Sequence, residues 1–66
     1  MRMINAMSDR DFLKLCKSGD TEKVEEAIMN SANVNAKDNN GMTALMWAAF
    51  LDKTETAKLL RKYGAE

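Results

Sequence analysis

The sequence predicts an all-α fold: two helix-turn-helix units stacked as a short solenoid and joined by a hairpin-like loop. Three observations predict it. Apolar residues recur at helical spacing in four segments. Glycine, asparagine and aspartate separate those segments in a chain without proline. The two halves also fall into register at an offset of 33 residues, with no gap.

The first segment opens at Ser8, a plausible N-cap with Asp11 three residues on, close to a capping box. Phe12, Leu13, Leu15 and Cys16 then share a helical stripe, and the run stops at Gly19. A second helix starts around Asp20 or Thr21 and carries Val24, Ala27 and Ile28. Glu22, Glu25 and Glu26 lie off that stripe and read as a solvated flank rather than an acid/base pair. "NSANVNAKDNNG" follows, a stretch whose Asn and Asp residues tolerate left-handed backbone and bond their own main chain. Thr43 caps a third helix, "ALMWAAF", and a fourth runs from about Thr54 to Tyr63, with Gly64 as its C-cap. The first helix of each pair is expected to be short and the second slightly longer.

The 33-residue offset pairs Phe12 with Leu45, Leu13 with Met46, Leu15 with Ala48 and Cys16 with Ala49. It also pairs Val24 with Ala57, Ala27 with Leu60 and Ala32 with Ala65, so every one of these sites is apolar in both copies. Leu45, Ala48 and Ala49 therefore read as repeat core, as do their partners. A period of this length indicates units that bury their faces against one another.

Composition narrows the function. One cysteine and no histidine exclude an internal disulfide and a Cys/His zinc site. Ten basic and ten acidic residues cancel, without the basic footprint of a nucleic-acid binder. No apolar run reaches the roughly 18 residues of a membrane span, and "MRMINAMSDRD" lacks the apolar core of a signal peptide. A reducing, cytoplasmic setting is the default expectation. Cys16 sits at a small core site with no residue placed to activate it. "DNNG" lacks the distal ligand spacing of a calcium loop. Trp47 is expected to be partly buried between helices.

The stretch from Asp38 to Ala65 resembles one ankyrin repeat nearly end to end. It carries D-x-x-G-x-T, then L-x-x-A-A, then L-L, and closes on G-A, while "NVNAKD" at 33–38 looks like the junction between two units. Residues 10–37 resemble a degenerate first repeat and 38–66 a second, behind a leader or capping segment at 1–9. Four departures stand out. Ala44 and Met46 replace the family's proline and histidine, and the second change removes a side chain the family uses to brace its loops. Asp52 and Ser31 replace glycines at turns where the other unit keeps Gly19 and Gly64.

The resemblance implies a non-enzymatic protein–protein interaction module with no catalytic residue, cofactor or metal. Its partner would be an unknown protein, not nucleic acid or membrane. Carried over position by position, the family's variable contact residues fall on Asn39, Asn40, Met42, Phe50, Leu51 and Tyr63 in the second unit. The first-unit positions are Asp9, Lys17, Ser18 and Asn30, all polar, whereas Met42, Phe50, Leu51 and Tyr63 are apolar or aromatic. That apolar set also suits two alternatives: a self-associating homodimer or swapped unit, and a fragment of a longer repeat protein.

Overall fold

A computed structural model describes residues 8–65. Four helices run in order: α1 (Asp9–Ser18), α2 (Thr21–Met29), α3 (Ala44–Phe50) and α4 (Thr54–Lys62). No strand forms among the described residues; one isolated antiparallel bridge, Lys37 to Thr43, closes the base of the hairpin between the units. α1 packs on α3 and α2 on α4, so the units stack side by side. Residues 1–7 of the expected leader lie outside the described residues, and Ser8 and Asp9 belong to the start of α1.

Side chains on the chain itself set the helix starts. The hydroxyl of Ser8 accepts from the Asp11 amide, Asp20 Oδ1 accepts from the Lys23 amide, and Thr43 Oγ1 accepts from the Met46 amide. Each contact satisfies a donor the first turn leaves free. α4 is the exception: Lys53 precedes it and supplies no side-chain cap.

The expected length order fails in the first unit, where α1 has 10 residues and α2 has 9. The cause is the cap position. α1 starts from Ser8, whereas the second unit has Gly41 at the matching position, with φ +81°, and its helix begins only after Thr43. The end of α4 also needs correction: Tyr63 is the C-cap, and Gly64 is the left-handed residue after it.

The core joins both units through Phe12, Leu13, Cys16, Val24, Ala27, Ala32, Ala36, Ala44, Ala48 and Leu60. Leu15, Ile28, Leu45, Ala57 and Leu59 are only partly buried against it. Ala49 departs from expectation: it is exposed, although its partner Cys16 is fully buried. Sequence register gives equivalent positions, but burial depends on which neighbour covers them. Cys16 and Leu13 face the second unit, while Ala49 and Met46 occupy the same places one unit further along. Leu13 is accordingly 3% exposed and Met46 48%. Conversely, Ala44 and Thr56 are buried where Asp11 and Lys23 are exposed in the first unit. The stack therefore has a polar end and an apolar end. Burying Thr56 has a cost, since its hydroxyl makes no hydrogen bond within the described residues.

Burial also governs Cys16, a free thiol whose pKa is pushed up from its ordinary 9.0 to about 12 by desolvation. It is a core residue held in the neutral form and poorly suited to nucleophilic work.

Candidate functional site

The surface of interest is built from the inner helices α1 and α3 and the hairpin that precedes α3. Asp38 organises the hairpin. Its Oδ1 accepts from the amides of Asn40 at 2.9 Å and Met42 at 3.0 Å, and its Oδ2 accepts from Trp47 Nε1 at 2.9 Å. Main-chain bonds from Asp38 N to Met42 O and from Gly41 N to Asp38 O close the turn. A single carboxylate thus ties the loop to the third helix and braces it. Asn33 repeats part of the device, its Oδ1 accepting from the Asn35 amide.

These donors hold the Asp38 carboxyl below its usual pKa of 3.8, first through the Trp47 hydrogen bond, then through Met42, with smaller help from Asn40 and Lys17. The sign of the linkage follows. Between the folded and unfolded values the unfolded chain binds more protons, so this contribution is complete above pH 3.8 and is lost as pH falls through the folded value. Acidification below about pH 4 should shift Trp47 emission, and Asp38→Asn should flatten that dependence while speeding amide exchange at Asn40 and Met42. Unchanged exchange in the variant would mean that the carboxylate does not brace the loop.

Trp47 is half-buried, as the sequence suggests, and it is the centre of a cluster. Lys17 Nζ lies 4.3 Å from its ring centroid, and Phe50 meets it edge-on at 5.9 Å and 78°. Lys17 and Phe50 occupy equivalent positions at the repeat offset, so Trp47 bridges the pair along the inner face.

The residues expected to bind a partner are placed as follows. Asn39 and Asn40 are exposed at the hairpin, and Met42 is half-buried beside them. Phe50 is 73% exposed at the end of α3, followed by Leu51 at 38%. Tyr63 stands apart: its hydroxyl donates to Glu25 Oε2 at 2.8 Å, joining the end of α4 to α2. That bond raises the Tyr63 pKa and gives Glu25 a partner, so Glu25 is not the freely solvated side chain its position suggests. Met46, exposed beside Phe50 and Leu51, is not among the expected contact residues; the repeat offset matches it to Leu13, which is buried. Met29, also 73% exposed, lies on α2.

A family model described as ankyrin repeats, in three copies, matches residues 12–66. The chain belongs to the ankyrin repeat family. Its four helices form two helix-turn-helix pairs, consistent with ankyrin repeats, with the hairpin between them. Ankyrin repeats are generally protein–protein interaction modules and typically non-enzymatic. No helix of the described ankyrin residues is long and apolar enough to cross a membrane.

Proposed function

We infer that this ankyrin unit pair docks a protein partner through the hairpin tip and the exposed end of the inner helices, using Asn39, Asn40, Met42, Phe50 and Leu51. The observation that carries the reading is Phe50: a phenylalanine left 73% exposed on a folded helix, beside exposed Met46 and Leu51. Exposed aromatic and Met side chains on a rigid support are the anchors protein interfaces use. Tyr63 contributes at most its ring, since its hydroxyl is engaged by Glu25. A reducing cytoplasmic setting suits the free Cys16.

The test is a comparison of captured proteins. The double variant Phe50→Lys/Leu51→Lys is expected to lose partners that the parent and an outer-helix control, Lys58→Glu, both retain. Identical sets from all three proteins would place the binding face elsewhere.

A second reading, self-association, draws on the same apolar end. Head-to-tail stacking is disfavoured, because the opposite end presents Asp11 and Lys23 where the second unit buries Ala44 and Thr56. A symmetric pairing of Met46, Ala49 and Phe50 remains as the form self-association would take. Light scattering over a concentration series separates the readings: a monomer throughout the micromolar range removes this one.

A further inference from the structure

The chain is neutral as a whole, yet its cations are unevenly placed. Arg10, Lys14 and Lys17 follow i, i+4, i+7 spacing and so share one face of α1. Lys37 joins them from the hairpin, and the four line a cleft of about 330 Å³ with Asn39 and the edge of Leu13. One acid, Asp38, also borders the cleft, but both its oxygens already accept hydrogen bonds from the loop and from Trp47. Arg10, Lys14 and Lys37 have no ion-pair partner among the described residues. Four cations against one carboxylate leave the cleft with a net positive charge, which favours a ligand that neutralises it.

The neighbouring surface has different chemistry. In the second unit the positions matching Lys14 and Lys17 are Trp47 and Phe50. Lys17 over the Trp47 ring joins the two surfaces, so the inner face runs from basic to aromatic across the units.

We propose that this face binds an acidic peptide segment, its carboxylates in the Arg10–Lys14–Lys17–Lys37 cleft and an adjacent apolar residue on Trp47 and Phe50. The proposal rests on the protein-binding reading of the same face and adds the chemistry of the partner. A nucleic acid fits less well. Its continuous phosphates need an extended basic track, and a net charge of zero means the acids elsewhere on so small a chain repel a long polyanion.

Trp47 is the sole tryptophan and touches Lys17, so its emission reports occupancy of the cleft. The experiment titrates the full chain with three short peptides: glutamates followed by two leucines, and its lysine and serine counterparts. The glutamate peptide is expected to shift Trp47 emission saturably and at least about tenfold more tightly than the other two. That advantage should shrink as salt rises, because exposed charges are screened beyond roughly 10 Å at 0.1 M. Lys14→Glu, an exposed substitution checked for unchanged helicity, should weaken the glutamate peptide about tenfold and favour the lysine one.

Equal binding of the three peptides would overturn the acidic preference and leave the interaction face standing. Failure of all three to bind would overturn both. Binding of the glutamate peptide that Lys14→Glu does not alter, or tighter binding of a single-stranded oligonucleotide, would also overturn the proposal.

Discussion

Phe12→Ala is expected to leave the protein unfolded at 25 °C. Phe12 is fully buried and heads the large side chains of the core, on the helix that packs against both α2 and α3. Truncating a buried phenylalanine costs about 3–5 kcal/mol, the transfer of the ring plus the cavity it leaves. A chain of 66 residues with one core and no disulfide has little more than that to lose, since such cores rarely supply more than about 3–5 kcal/mol in total. The other phenylalanine provides the control. Phe50 is 73% exposed and contacts Trp47 edge-on, so Phe50→Ala should cost no more than about 1 kcal/mol. Far-UV circular dichroism reads both: helicity lost in the first variant and kept, with a cooperative melt, in the second. Similar melts for the two would show that the core is not centred on Phe12.

The different fates of those phenylalanines explain what a sequence of this kind reveals. Short-range chemistry was legible: Ser8, Asp20 and Thr43 each start a helix through a side-chain oxygen, at or next to the expected position. The 33-residue register was legible too, because solenoid units must present apolar residues at the same places. Side-chain contacts between residues distant in sequence were not. The ties from Asp38 to Trp47 and from Tyr63 to Glu25 join residues 9 and 38 positions apart, with no periodic signal marking either pair. Ala49 departs from its register for a related reason: it matches Cys16, but its outward face has no described unit to cover it. The basic cleft was hidden by a net charge of zero: Arg10, Lys14 and Lys17 share one face of α1, and Lys37 joins them only once the hairpin folds back.

The turns offer a test in the opposite direction. Four left-handed residues end the four helices, at Gly19, Ser31, Asp52 and Gly64, and they pair at the repeat offset as Gly19 with Asp52 and Ser31 with Gly64. Each unit therefore uses glycine at one stop and a side-chain-bearing residue at the other. The hydrogen bonding follows the same logic at the matched ends of α2 and α4. Ala32 N donates to Ala27 O and Ser31 N to Ile28 O; Ala65 N donates to Leu60 O and Gly64 N to Arg61 O. Geometry is thus conserved within the chain while the residue changes. An L side chain at φ +78° or +61° crowds its own backbone, at about 1–2 kcal/mol for each residue, and glycine's extra freedom when unfolded offsets about half of that. Neither Ser31 nor Asp52 makes a side-chain hydrogen bond within the described residues that replacement would forfeit. The double variant Ser31→Gly/Asp52→Gly should therefore gain about 1–2 kcal/mol. The effects should add, because the two turns lie in different units and share no partner. In a domain of this size that raises the melting temperature by roughly 5–15 °C. The reverse change, Gly19→Asp, should lower it through its φ of +79°; the Cβ would sit 2.7 Å from Cδ of Lys53, a flexible side chain that can move aside. A melting temperature unchanged or lowered in the double variant would mean that Ser31 and Asp52 stabilise their turns through interactions outweighing the strain, and that glycine was displaced there for stability.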